Sequence, residues 1–259
     1  MYVSSLRTNK CDFQHKEIFF GSTSVSDNHV IKLNGSQLSW IKCVKHLGNK
    51  LNRDLSDSQD IDYKKGAFNG SVNKLLGNFG LAQSNVLAKL CGNYCCSFYG
   101  SQLWNISGSS IKTLLTAWNK AVRRIYKLPG TCHTRLLPHI MGCLSLKEQL
   151  ICRFAKFVQN MSKCNNSIVV TVLQNSCSNA RSTLGRNIKY IKHHYNTDIL
   201  KCNMGTLRNL LECQKDDNVE AGSKGGLVRE LCHIRDGEMA ADNLELQDCS
   251  EIINTVCTD

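Results

Sequence analysis

Ser110-IKTLLTAWNKAVRRIYK-Leu128, followed at once by Pro129-Gly130, is the stretch that decides the fold. At roughly 100° per residue, Ile111, Leu114, Leu115, Trp118, Ala121, Val122, Ile125 and Tyr126 occupy one continuous arc. Lys112, Lys120, Arg123, Arg124 and Lys127 occupy a separate arc of roughly 120°. The spacing predicts a helix over 110–128 with one face in a core and the other a cationic stripe. Proline cannot continue a helix and glycine suits its end, so the helix stops at Pro129. Part of the clustering has an ordinary cause: Arg123, Arg124 and Lys127 lie near the helix C-terminus, where the macrodipole favours cations.

The stripe belongs to a wider imbalance. Between Tyr63 and Lys156 there are thirteen Lys or Arg residues and one acid, Glu148. Residues 1–62 hold 8 bases and 7 acids, 157–210 hold 7 bases and 1 acid, and 211–259 hold 4 bases and 12 acids. The formal net charge of +11 therefore hides a neutral start, a basic centre and an acidic end. Exposed helices normally mix signs to gain pairs one turn apart. A one-signed folded surface repels itself and points to a polyanion.

Both prolines, Pro129 and Pro138, lie close together in the 259-residue chain, leaving long helices free on either side. Its fifteen cysteines are odd in number and scattered, unlike a secreted disulfide framework. They read mostly as small apolar core residues in a reducing, intracellular compartment, nuclear or cytoplasmic. No run of about eighteen apolar residues occurs, so no transmembrane helix is expected.

Upstream, Lys16–Phe20, Val30–Leu33 and Gln37–Val44 are short β-compatible runs, with Asn34-Gly35 as a hairpin turn. Beyond Asp62 the period becomes helical. Val86, Leu87, Leu90, Cys91, Tyr94, Cys95 and Phe98 predict a helix of about four turns that ends at Gly100. Ser145-Leu-Lys-Glu148 is a capping box opening a helix that turns Leu150, Ile151, Phe154, Phe157, Val158 and Met161 inward. Residues 165–186 read as a loop or short helix, with weaker helices near 187–200 and 205–213 and a linker near 220–226. The expected class is α+β, mainly α. Its parts are a β region over 1–57, a basic helical bundle over 58–162, further helices and loops over 163–214, and a weakly ordered acidic tail over 215–259.

Three motifs in order resemble the segment after the catalytic palm in reverse transcriptases of non-LTR (LINE-class) retrotransposons. Ile31–Trp40 followed by Val44-Lys-His-Leu-Gly48 is similar to that family's strand, turn and strand leading into Lys-Tyr-Leu-Gly, with His46 in place of Tyr. Tyr99-Gly100-Ser-Gln-Leu-Trp104 resembles its Tyr-Gly-x-x-x-Trp. Asn119-Lys-Ala-Val-Arg123-Arg124 with Pro129 resembles its Asn-x-x-x-Arg pattern. The resemblance covers about residues 31–161 and implies a primer grip and a helical thumb. It places Lys45, His46, Leu47 and Gly48 in the turn near a primer terminus, and it turns the basic helices toward a template–primer duplex. It also implies what is missing, because polymerisation needs carboxylates that hold two metal ions. No Asp-Asp hairpin precedes Ile31, and Asp216-Asp217 lies in the acidic tail. A non-catalytic, truncated fragment is expected.

The expected partner is duplex RNA or DNA, held without regard to sequence by Lys45, Lys64, Lys65, Lys112, Lys120, Arg123, Arg124 and Lys127. His46, Leu47, Gly48, Tyr99, Gly100, Trp104 and Pro129 serve as structural positions of the motifs. Trp104 is balanced between stacking platform and core; Trp118, inside the apolar arc, reads as core. No cofactor is expected. Cys91, Cys95, Cys96, Cys132-His133, Cys202, Cys213 and Cys232-His233 fit no zinc spacing. Two other readings stay open: an interaction module whose basic centre docks an acidic partner or its own tail, and a retrotransposon-derived remnant without activity.

Overall fold

A computed structural model of the chain describes residues 16–17, 32–33, 36–37, 39–40, 42–179 and 181–220. Among the described residues, six short strands precede eight α-helices. The class is α+β, mainly α. Of the expected acidic tail over 215–259, residues 215–220 instead continue the last helix, Met204–Glu220; the rest of the tail, and of the linker near 220–226, lies outside the described residues.

The β part is a set of two-stranded pairs. β1 (Lys16–Glu17) runs parallel to β4 (Ser39–Trp40). β2 (Lys32–Leu33) and β3 (Ser36–Gln37) pair antiparallel with Leu33 opposite Ser36, the register an Asn34-Gly35 turn would need. The third pair departs from expectation. β5 (Cys43–His46) and β6 (Asn49–Asn52) form a hairpin in which Lys45 faces Lys50 and His46 faces Asn49. Lys45 and His46 are thus strand residues, and only Leu47 and Gly48 make the turn. Both have positive φ, 46° and 80°, as a two-residue type I′ turn requires. Glycine adopts this readily; leucine does so at a cost of about 1–2 kcal/mol.

Helix α1 (Ser58–Phe79) starts a turn earlier than the change of period at Asp62 suggests and buries Ile61, Phe68, Val72 and Leu75 along one stripe. Helix α3 (Ser109–Ile125) packs against it, burying Ile111, Leu114, Trp118, Ala121, Val122 and Ile125 as the apolar arc predicts. Leu115 and Tyr126, at the edge of that arc, are half-buried. Lys65 Nζ lies 3.4 Å from Thr113 Oγ1 near the start of both helices, and Arg124 Nη1 donates to Asn73 Oδ1 at 2.7 Å toward their ends. The two helices therefore run side by side in the same direction.

The four-turn helix expected over 86–98 is shorter. Helix α2 (Ser84–Leu90) gives way to a π turn at Cys91–Cys95, closed by Cys96 N–H donating to the Cys91 carbonyl at 3.2 Å. A π turn holds more residues than an α turn, so Tyr94 rotates off the packed face and is 55% exposed. Phe98 still reaches the core, but from an irregular segment. Gly100 opens a 3-10 turn, Ser101–Leu103, instead of closing a helix, and has φ 83°. A Cβ there would lie 2.0 Å from Asn49 Oδ1, so only glycine fits.

After α3 comes the short helix α4 (Leu137–Ile140), and then α5 (Leu146–Ser162) begins with both hydrogen bonds of the Ser145–Glu148 capping box. Leu150, Ile151, Phe154 and Val158 are buried as expected, while Phe157 and Met161 are only half-buried. Residues 165–186 hold a short helix, α6 (Ser167–Ser178), in which only Leu173 is buried. α7 (Thr183–Tyr195) and α8 (Met204–Glu220) follow, each beginning earlier than its pattern suggests. Two apolar clusters result. Phe68, Phe98, Trp104, Leu114 and Trp118 centre the first, and Phe154, Val158, Leu173, Ile191, Leu207 and Leu211 the second. Helix α5 serves both, so the second cluster spans the expected boundary at 162.

One polar network ties the hairpin to this framework. Asp60, 4% exposed, accepts from the Lys50 N–H and from Trp104 Nε1, both at 2.8 Å. Asn187 donates to the Trp104 carbonyl at 2.8 Å and accepts from the Ile106 N–H at 3.0 Å. In Asp60→Asn one acceptor becomes a donor facing a donor. The expected loss is about 1–3 kcal/mol in urea unfolding, with faster hydrogen exchange at the Lys50 amide. An unchanged midpoint would show that the network does not hold the hairpin.

Candidate nucleic-acid interface

The hairpin and the first turns of α1 bring four side chains together that are far less concentrated in the sequence. Cross-strand pairing sets Lys45 beside Lys50, a like-charge arrangement that ordinarily costs stability. Both lie over the ring of Tyr63 on α1, with Nζ 5.5 Å and 4.7 Å from its centroid. Lys64 Nζ is 6.0 Å from the same ring and 5.8 Å from that of Tyr99. Lys64 also donates to the Gly48 carbonyl at 2.8 Å, and Lys45 Nζ lies 3.5 Å from the Tyr63 hydroxyl. The negative face of a tyrosine ring offsets a nearby cation by about 0.5–1 kcal/mol at an exposed site. It does not neutralise three. Among the described residues none of the three lysines is ion-paired with a carboxylate, since Asp60 is spent on Lys50 N–H and Trp104 and Asp62 pairs with Lys65 at 2.7 Å.

Tyr63 and Tyr99 stay open beside these charges, at 39% and 58% exposed, and Leu47 projects at the hairpin tip at 72%. Tyr99 lies beside the turn, its ring 3.5 Å from the Cβ position of Gly48, an ordinary van der Waals distance. Flat exposed rings next to unneutralised lysines offer stacking surfaces and phosphate contacts together.

The α3 stripe is real but not uniform. Lys112, Lys120 and Lys127 are exposed. Arg124 reaches the Asn73 amide of α1. Arg123 departs from the expectation of a free phosphate contact. It is half-buried, donates from Nη2 to the Cys132 carbonyl at 2.6 Å, and has a buried Nε without a partner. It holds the Pro129–Cys132 turn against the end of the helix, where Lys127 has φ 52°. Lys65, tied to Asp62, is likewise less available than its neighbour Lys64.

The motif residues take different places. His46, Leu47 and Gly48 lie at the hairpin end, and Tyr99 packs beside Gly48. Gly100 is buried against Asn49, and Pro129 is exposed just past α3. Trp104 is not a platform: it is 2% exposed, with its indole N–H committed to Asp60. Lys50 and Tyr63 complete the cluster and are absent from the sequence-derived set. The signal for Lys50 was Lys45-His-Leu-Gly-Asn-Lys50 read as a hairpin, obscured because Leu-Gly is not a favoured turn pair.

Cysteine chemistry does not add a site. Cys91, Cys95 and Cys96 are buried together at the π turn. Hydrogen bonding to the other two thiols pushes the Cys91 thiol well above its ordinary range and draws theirs down. No group of three or more His, Cys, Asp or Glu side chains among the described residues is arranged to hold a metal ion. No helix among them is long and apolar enough to cross a membrane.

Compared with protein-family models, curated proteins and solved structures, the chain matches none. The family resemblance rests on its motifs alone.

Arg123 and Lys120, one turn apart on the same face of α3, should separate in unfolding experiments. Arg123→Ala is expected to cost about 1.5–3 kcal/mol, the loss of a charge-assisted hydrogen bond, while Lys120→Ala stays within about 0.5 kcal/mol. Equal effects in urea titrations would mean that Arg123 is not a structural clamp.

Proposed function

We propose that this chain binds nucleic acid through the phosphate backbone, using the β5–β6 hairpin, the start of α1 and the exposed side of α3. The observation that carries the reading is the convergence of Lys45, Lys50 and Lys64 on Tyr63 without a neutralising carboxylate. A protein gains nothing for its own fold by crowding like charges; a phosphate placed among them relieves the repulsion. Tyr63 and Tyr99 supply ring faces for a base or sugar at the same place. Lys112, Lys120 and Lys127 continue the cationic surface along α3. The motif resemblance to LINE-class reverse transcriptases supports the same assignment, with a template–primer duplex as ligand.

Phosphate contacts release counterions, so affinity should fall steeply with salt and depend little on sequence. With the six lysines named as contacts the expected loss is roughly a thousandfold between 50 and 200 mM salt. The triple variant Lys45→Gln, Lys50→Gln, Lys64→Gln should lower the slope of log affinity against log salt by about 2–3, and should cost up to about 1.5–3 kcal/mol of stability because Lys64 loses its bond to the Gly48 carbonyl. Fluorescence anisotropy with a labelled duplex measures both. A wild-type affinity independent of salt, or absent at 50 mM, refutes the reading.

The alternative in which the basic centre engages the chain's own acidic end is separable. Residues 221–259 hold eight acids and three bases, and their removal spares the buried Leu207 and Leu211 of α8. Deletion after Glu220 should tighten duplex binding if those acids compete for the basic surface. Unchanged binding would eliminate that competition.

A further inference from the structure

We infer that the exposed face of α7 is a second nucleic-acid contact, which lengthens the bound segment beyond the hairpin and α3. This rests on the phosphate-binding reading above. Between Phe157 and Asn203 the sequence holds six Lys or Arg residues and one acid, Asp198. Three of the six, Arg186, Lys189 and Lys192, are exposed on α7 together with His193 and His194. Lys192 and the histidines occupy the last turn, where the helix dipole favours cations. Arg186 and Lys189 lie earlier, so the dipole does not account for them.

Geometry makes these residues more than a solvated helix face. At roughly 100° per residue, Arg186, Lys189 and His193 form one ridge about 60° wide. Among the described residues neither Lys189 nor Lys192 has a carboxylate partner, and Arg186 reaches only the Thr183 hydroxyl, at 3.3 Å. Aromatic rings are interleaved with the charges. Tyr190 stacks on His194 with centroids 4.0 Å apart, and His194 meets His193 edge-on at 5.2 Å. Lys147, from the first turn of α5, lies 4.9 Å over the Tyr190 ring.

Lys147 also connects this face to α3. A cleft of about 300 Å³ lined by Leu115, Asn119, Arg135, Lys147 and Glu148 leads from α3 to the start of α5, with Glu148 accepting from the Ser145 N–H at 2.9 Å. From there the cationic path passes over Tyr190 to the α7 ridge. Buried Asn187 fixes α7 to residues 104 and 106, just ahead of α3, so the second contact keeps a set position relative to the first. Alternating cations and flat rings at fixed spacing fit a phosphate backbone with sugars or bases above it.

The test uses the full chain and a labelled duplex long enough to cover both faces. Arg186→Gln, Lys189→Gln, Lys192→Gln should lower the salt slope by about 2–3 and weaken binding on the order of a hundredfold at 0.1 M salt. Glutamine keeps helix propensity at these exposed positions, and an unchanged thermal midpoint checks that the fold is intact. The control Lys163→Gln, Arg181→Gln, Lys201→Gln removes the same charge from exposed positions off the helix and should cost much less. An equal loss in the control, or none in the α7 variant while the wild type binds, overturns the second contact and leaves the first standing. No wild-type binding at 50 mM salt overturns both.

Discussion

Asp60 is the side chain on which the arrangement depends. A carboxyl group this buried is costly unless its oxygens are hydrogen-bonded, and both are: one to the backbone of β6, the other to the indole of Trp104. The requirement runs in both directions. The hairpin offers the Lys50 N–H that the acid needs, and the acid holds the hairpin against α1. Trp104 in turn passes the constraint to α7 through its carbonyl and Asn187. Three buried side chains thus relate the hairpin, α1, the segment before α3, and α7.

That constraint accounts for the electrostatics. Lys45 and Lys50 are pressed together by strand pairing, and Lys64 is brought to them by the docking of α1. Free lysines would separate to reduce repulsion; here the backbone that bears them is anchored. The remedies on hand are partial: a tyrosine ring, the Gly48 carbonyl, and solvent. Among the described residues, Asp60 is turned inward and Asp62 is paired with Lys65. The like charges stay together because the backbone that bears them is fixed by the bonds between buried Asp60, Lys50 N–H and Trp104.

Much of this was legible in the amino-acid order, and unevenly. Helix α3 and its faces follow from a period of 3.6, a local property; its end does not, since the helix stops at Ile125 and Lys127 turns to φ 52° ahead of Pro129. The capping box at Ser145 is local too. The segment after Leu90 was misjudged because a π turn leaves apolar spacing almost helical while rotating Tyr94 outward. Helix α6 agrees with a short, poorly packed helix in a segment rich in serine and asparagine, since only Leu173 is buried. Arg123 was assigned to the open stripe on angle alone, when a carbonyl nine residues away claims it.

The amino-acid order alone settles that cations outnumber acids through the middle of the chain and which side of α3 is core, but not that Lys45 and Lys50 meet on a hairpin. Charge and periodicity are additive along the chain and need no folding to be counted. Only the tertiary structure decided which cations are free and where they meet. The contacts responsible join residues far apart: Asp60 to Trp104 across 44 positions and Asn187 to Trp104 across 83. Such partners are chosen by the burial of polar groups that must be satisfied somewhere, a condition visible only when the whole core is assembled.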